Sequence, residues 1–263
     1  MKRLFCIMQF IDTHSHLYDK VFADDITQVV ERAKASGVFK IFLPNIDEQS
    51  IEPMSSLAQR YDCFETMIGL HPTSVAPDIE KQLQIHKSYL HNPNSFIAIG
   101  EIGIDLYWSS ELKEQQIFAF EQQMKWSFDY NLPVVIHNRN AFDEILLSLS
   151  NLNRKTYNGI FHCFSGNLQQ AEKVIEMGFV LGIGGVVSFK NSGLQQVVEH
   201  IPLEKLVLET DSPYLAPVPY RGKRNESSYI PLIAQKIADI KAITLAEVAE
   251  QTTQTALNIF LVQ

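Results

Sequence analysis

The chain has 263 residues, 46% hydrophobic and 20% charged, enough for a substantial core; no linker, charge block or low-complexity run divides it, so one domain over residues 1–263 is expected. Its 22 Lys+Arg against 30 Asp+Glu leave a net charge of −8, which argues against a coat on nucleic acid held by bulk charge, although local basic clusters or bound cations can still accept a polyanion. Cys6, Cys63 and Cys163 form no C-x-x-C pair and suit a reducing, cytoplasmic compartment; no run reaches the ~18 apolar residues of a membrane span, and no obligate protein partner is implied.

Lys2-Arg3 and the apolar run Leu4 to Ile11 imitate a signal peptide, but no small-residue cleavage site follows and the run enters Asp12-Thr13-His14-Ser15-His16 directly. It reads as a first strand. Met8 is an alternative start, because Met8 to Asp12 suffices for a strand, which would make residues 1–7 a dispensable extension. In an extended chain His14 and His16 share a face and aim two imidazoles at one spot.

Residues 24–36 carry Ile26, Val29, Val30 and Ala33 at helical spacing and stop at Gly37. Residues 40–45 then read as a short buried strand. The pattern repeats as helix 48–60, strand 63–70, helix 78–91, strand 96–103, helix 111–130, strand 134–137 and helix 140–150. It continues as strand 159–162, helix 167–177, strand 179–183, helix 192–200, strand 206–209 and helices 229–241 and 245–260. Short strands apolar on both faces, alternating with amphipathic helices, call for a parallel sheet covered by helices. Eight such units in about 250 residues predict an α/β fold, a single (β/α)₈ TIM barrel. An open doubly wound sheet is the alternative, but no G-x-G-x-x-G follows the first strand.

A barrel places active-site groups at the C-terminal ends of its strands. Five of the eight histidines fall there: His14 and His16 after strand one, His71 after three, His137 after five and His162 after six. Strand four carries Glu101, and strand eight ends in Glu209-Thr210-Asp211. His86, His91 and His200 fall in or near helices and read as solvated positions. His14, His16, Glu101, His137, His162 and Asp211 thus offer four imidazoles and two carboxylates to one barrel mouth. A structural zinc site uses about four ligands and favours cysteine; six N/O ligands suit two divalent ions sharing a bridging group, with positions left for water and substrate. Cys163 is expected to face the helices, opposite its neighbour His162.

Two metals suit a phosphate ester. A positioned acid or base contributes roughly 10²–10⁴-fold, whereas coordination lowers the pKa of water from about 15.7 to about 7. Asp211 and Glu209, two apart and on one face, are the catalytic carboxylates, the first orienting the water and the second handling its proton. Residues 212–226 form a long rigid loop ending in Arg221, Lys223 and Arg224, which either grips phosphate or is braced by pairing Lys223 or Arg224 with Glu226 or Asp211. Arg221 and Arg139, the latter two residues past His137, are the better phosphate contacts, and His71, with no second ligand beside it, is a substrate contact.

The segments FIDTHSHL at 10–17, GLHP at 69–72, IGEIGID at 99–105, VIHNR at 135–139, FHCFSG at 161–166 and LETDSPYLAPVPYRGKRNE at 208–226 together make the chain resemble the TatD-type metal-dependent deoxyribonucleases of the amidohydrolase superfamily. The resemblance implies a (β/α)₈ barrel with His14, His16 and Asp211 on one ion, His137 and His162 on the other and Glu101 bridging. It further implies hydrolysis of DNA phosphodiester bonds, as a 3′ to 5′ exonuclease on single strands, with Mg²⁺ or Mn²⁺ and Zn²⁺ as a further occupant. The chain departs from the family pattern at Ser15, where cysteine is frequent, at Ser227, where proline is frequent, and at Leu106-Tyr107-Trp108, which replaces a more common tyrosine pair and bears on base stacking. The competing reading is an amidohydrolase-type hydrolase of a small ester, amide or cyclic substrate, since barrels of this kind host many chemistries.

Overall fold

In the computed structural model, residues 8–92 and 95–260 are described. Strand β1 (Phe10–Asp12) leads through α1 (Ile26–Ala35) to β2 (Val38–Leu43), followed by α2 (Glu48–Arg60), β3 (Phe64–Ile68), α3 (Ile79–Tyr89) and β4 (Ala98–Asp105). Next come α4 (Lys113–Asp129), β5 (Val134–Arg139), α5 (Phe142–Asn151), β6 (Gly159–Phe161), α6 (Leu168–Glu176) and β7 (Val180–Ile183). The chain ends in α7 (Leu194–His200), β8 (Leu206–Leu208), α8 (Ile230–Lys241) and α9 (Leu245–Phe260). The eight strands pair in parallel in sequence order. The ring closes where Thr13 N donates to Leu208 O at 2.9 Å and where Ser15 and Ser212 form a parallel bridge. This is the expected TIM barrel. The first strand is shorter than the apolar run 4–11; residues 1–7, with the alternative start and the dispensable extension, lie outside the described residues.

Two apolar layers follow from the alternation of strand side chains. Inside the barrel, Ile11, Phe42, Met67, Ala98, Val135, Ile160, Val180 and Val207, one from each strand, pack with Ala256, Ile259 and Phe260 of α9. Helix α9 covers the N-terminal end, where Thr253 Oγ1 donates to Gln9 O and the Phe42 and Phe260 rings meet edge to face at 4.9 Å. The larger layer lies between the strands and the surrounding helices. With the N-terminal end plugged, only the C-terminal end remains for polar side chains to converge.

Helix α2 begins with a reciprocal cap between Asp47 and Ser50, and α6 with one between Asn167 and Gln170. Expected and observed helices agree within a few residues, but His86 is not solvated. It lies on the buried face of α3 with Ile79 and Leu83, 1% exposed, its Nδ1 on Gln82 O at 2.8 Å. Its spacing of three and seven from those apolar positions puts it on the core stripe. No helix among the described residues is long and apolar enough to cross a membrane.

Candidate metal centre

The chain stays extended beyond β1, held by Ser15 N on Phe42 O at 3.0 Å and His16 N on Ser212 O at 2.8 Å. This carries His14 and His16 to the mouth, where their Nε2 atoms lie 3.2 Å apart. The pairing of β4 with β5 shifts register between Ile99 and Ile102, and Glu101 points inward at that irregularity. Glu101 Oε2 is 3.1 Å from His14 Nε2 and 3.8 Å from His16 Nε2, while Oε1 is 2.9 Å from His137 Nδ1 and 3.8 Å from His162 Nε2. Asp211 Oδ1 lies 3.5 Å from His16 Nε2, 3.8 Å from His162 Nε2 and 3.9 Å from His14 Nε2. All six residues proposed from sequence as ligands therefore meet at one place, and Glu101 faces both halves of it.

In three of the four imidazoles the other ring nitrogen is anchored in a way that fixes the tautomer, whereas His14 Nδ1 is buried without a hydrogen-bond partner among the described residues. Tyr18 donates its only hydroxyl proton to Pro44 O at 2.6 Å, so at its 2.9 Å contact with His16 Nδ1 it must accept. His16 Nδ1 therefore carries the proton and Nε2 presents a lone pair. Likewise His162 Nδ1 faces Glu209 Oε2 at 3.1 Å, and His137 Nε2 faces Asp105 Oδ2 at 2.9 Å. Carboxylates behind ligating imidazoles orient them and raise their basicity. In their neutral tautomers His16, His162 and His137 would turn lone pairs toward two buried carboxylates, a donor set that fits divalent cations held by N and O ligands once the ring protons are released.

His71 is different. Its Nδ1 accepts from Thr73 N–H at 3.2 Å, so the neutral ring carries its proton on Nε2, which faces Glu101 Oε1 at 3.4 Å. His71, Glu101 and His137 lie close enough to surround a cation, but this tautomer makes His71 Nε2 a donor rather than a ligand.

Burial and charge set the protonation states. Burial, reinforced by the His162 charge, lowers the pKa of His14 to about 4. For His162 burial acts the same way, but the Glu209 and Glu101 carboxylates outweigh it and raise the value to about 10. Burial also opposes ionisation of Glu101 and Asp211, yet the surrounding imidazoles hold both below their ordinary values.

Glu209 is fully buried behind His162 and also accepts from Cys163 N at 2.6 Å. It occupies space opened by Gly182, where a Cβ would come within 2.2 Å of Glu209 Oε2. Cys163 does not face the helices. Strand β6 ends at Phe161 and Cys163 adopts φ 44°, so strand alternation stops before it, and its sulfur lies within 4.8 Å of ligand atoms of His162 and Glu209.

The loop after β8 is braced, with partners that differ from those expected. Arg224 forms a two-pronged pair with Asp25 at 2.8 and 2.6 Å, and Glu226 pairs with Arg32 at 2.8 and 2.6 Å. Lys223 is exposed and has no ion pair among the described residues. Asp12 ties β1 to this loop by accepting from Thr210 N, Thr210 Oγ1 and Ser227 Oγ, and burial raises its pKa to about 7. Arg139 and Arg221 sit at the rim rather than among the ligands. The Arg139 guanidinium lies 3.8 Å over the Tyr107 ring, and that of Arg221 4.5 Å over Phe189.

Sequence reasoning missed Asp105 and Tyr18. Both continue a period of two from a recognised ligand, Glu101-x-Gly103-x-Asp105 and His14-x-His16-x-Tyr18, and that spacing was the available signal.

A profile of the family described as TatD related DNase matches residues 11–261. The chain is similar to the uncharacterised metal-dependent hydrolase YabD of Bacillus subtilis, 37% identical over 95% of this chain and 98% of that protein. Among solved structures it is similar to the TatD homolog YjjV of Escherichia coli, with TM-score 0.90 and 29% identity over 98% of this chain and all of that one. A TatD-family hydrolase of Entamoeba histolytica shares the fold at TM-score 0.81 and 24% identity, over 97% of this chain and 98% of that one.

Proposed function

The chain belongs to the TatD-related DNase family of metal-dependent hydrolases, and from that premise we propose that it is a deoxyribonuclease that hydrolyses phosphodiester bonds of single-stranded DNA from the 3′ end. The observation that supports this most is the convergence of His14, His16, His137, His162, Glu101 and Asp211, with every ligand-facing contact to Glu101 within 3.8 Å. His14, His16 and Asp211 are assigned to one cation, His137 and His162 to a second, and Glu101 to both. Mg²⁺ or Mn²⁺ are the expected ions and Zn²⁺ a further occupant. When bound, such ions supply Lewis-acid activation of water and neutralise charge on the phosphoryl oxygens.

The chain's own groups supply orientation and proton handling. Asp211, ionised at neutral pH, orients the attacking water and accepts its proton at Oδ1. Glu209 acts on the same proton only through His162, whose Nδ1–H it accepts and whose Nε2 it thereby steers. His71, with burial lowering its pKa, stays neutral and donates from Nε2 to a substrate oxygen. Arg139 and Arg221 at the rim hold the phosphates that flank the scissile bond. We place the activity in the cytoplasm, on the strength of free Cys63 and Cys163.

The test is metal-stripped protein restored with Mg²⁺, Mn²⁺ or Zn²⁺ and given 3′-labelled and 5′-labelled single- and double-stranded DNA, RNA and simple esters. Sequential nucleotide release from the 3′ end of single-stranded DNA is expected. Turnover of a lactone or amide, with no nucleotide release under any metal, overturns the reading.

A further inference from the structure

Strand β4 ends in Asp105, and the chain then exposes two aromatic rings in succession: Tyr107 is 53% and Trp108 70% exposed. An exposed indole forgoes roughly 1.5–3 kcal/mol of burial, and Trp108 is the most exposed large apolar side chain among the described residues. The two rings stand edge to face at 5.0 Å and 85°, and Arg139 from the end of β5 lies 3.8 Å over Tyr107 and 5.2 Å from Trp108. One face of Tyr107 is thus capped by a guanidinium, whose cation is attracted to the ring.

This patch is wired to the metal centre. Tyr107 N donates to Asp105 Oδ1 at 3.0 Å, the Trp108 amide also supports that carboxylate, and Asp105 Oδ2 holds His137 Nε2. On the far side of the barrel mouth a third exposed ring, Tyr214, lies 6.4 Å from His16. Tyr107 and Trp108 follow β4 and Tyr214 follows β8, strands that stand four places apart in the ring of eight, so aromatic faces border the ligand cluster on opposite sides.

We propose that Trp108, Tyr107 and Arg139 form a nucleobase-stacking subsite, which receives the base next to the scissile phosphate on the His137 side. This rests on the deoxyribonuclease reading and names what that reading recognises: an unstacked base, hence a single strand. The base lies on the free face of Trp108, and Arg139, held flat by Tyr107, turns its N–H edge to the adjoining phosphate. Base-to-aromatic stacking contributes about 1–3 kcal/mol per base and tolerates any base, because every base has a π-face. The subsite therefore selects single strands without selecting sequence.

Two measurements on the metal-loaded protein test this. The chain has two tryptophans, and Trp126 is only 4% exposed, so fluorescence quenching by a stacked base reports on Trp108. Thymidine monophosphate is expected to quench saturably and deoxyribose 5-phosphate not to; equal quenching by the two, or none by either, overturns the subsite. In the second, wild type, Trp108→Ala and Trp108→Phe are compared on a short oligothymidylate and on the same strand with its 3′-terminal base removed. The preference in kcat/KM for the base-containing strand should fall about 10-fold in Trp108→Ala and largely return in Trp108→Phe. An unchanged preference in Trp108→Ala contradicts the subsite while leaving the nuclease reading intact. Base-dependent quenching in a protein that cleaves no DNA supports the subsite and overturns the nuclease reading.

Discussion

Asp105 Oδ2 stands 2.9 Å from His137 Nε2, on the opposite side of that imidazole from Glu101. The carboxylate fixes the ring's tautomer and leaves Nδ1 as the lone pair aimed at the cluster. Asp105→Ala is expected to lower metal affinity by 10–100-fold while far-UV circular dichroism stays unchanged. Competition against a chelator measures this, and unaltered affinity contradicts the assigned role.

Glu101 is the residue both halves of the cluster share. Glu101→Gln keeps the shape and removes the charge, so metal content per chain should fall below that of wild type and activity should be lost with it. Metal analysis after dialysis reads the first effect, and full occupancy in the variant contradicts the bridging assignment. His71→Ala, in contrast, is expected to keep wild-type metal content and raise KM. Loss of metal there identifies His71 as a ligand.

Metal binding should release a proton near neutral pH. In the metal-free protein His162 holds its proton up to about pH 10, whereas His14 is neutral above about 4. A ligand must give up the proton on its coordinating nitrogen, and the His137 value is raised as well, so calorimetry in two buffers of different ionisation enthalpy should report at least one proton released at about pH 7.5. The same shift predicts the stability of the metal-free fold. A raised histidine value stabilises fully below the ordinary 6.5 and the contribution is lost as pH rises toward about 10, so Tm should fall across that window. Glu209→Gln should flatten that fall; an identical pH profile rules out Glu209 as the source of the shift.

The eight strands and their covering helices were legible because short apolar runs and 3.6-residue stripes alternate without interruption along the chain. What the sequence hid depends on backbone or distance. The φ of 44° at Cys163 turns its side chain toward Glu209 where alternation predicts the reverse. Arg224 finds Asp25 and Glu226 finds Arg32, each pair separated by more than 190 positions, so loop-local pairing misassigned both. The grouping of the six ligand candidates was readable because barrel topology brings all strand ends to one face, but the anchors Asp105 and Tyr18 carry no strand-end histidine to mark them.

Those long-range pairs brace the loop that follows Asp211. The Arg224 guanidinium holds the Asp25 carboxyl below its ordinary range; burial raises that of Glu226, but Arg32 outweighs it. Arg224→Ala is expected to cost roughly 1 kcal/mol, since the pair is partly exposed, and to lower Tm by about 2–4 °C. Because depressed carboxyl values stabilise above the ordinary range and lose that effect as pH falls through the folded value, the difference from wild type should shrink in acid. A constant difference down to pH 3 excludes this ion pair as its origin.

If Arg221 holds phosphate, it contributes to the salt dependence of binding. For a single strand, removing one such contact should reduce the slope of log K against log salt by about 0.7. Arg221→Ala with the wild-type slope contradicts the contact.

The most direct measurement of the central claim is end-labelled single-stranded DNA digested by stripped protein before and after restoring Mg²⁺ or Mn²⁺, with Glu101→Gln alongside. Metal-dependent shortening from the 3′ end by wild type, and none by the variant, is the predicted result. Hydrolysis that persists equally in the stripped protein and the variant, or intact DNA under every metal, would contradict it.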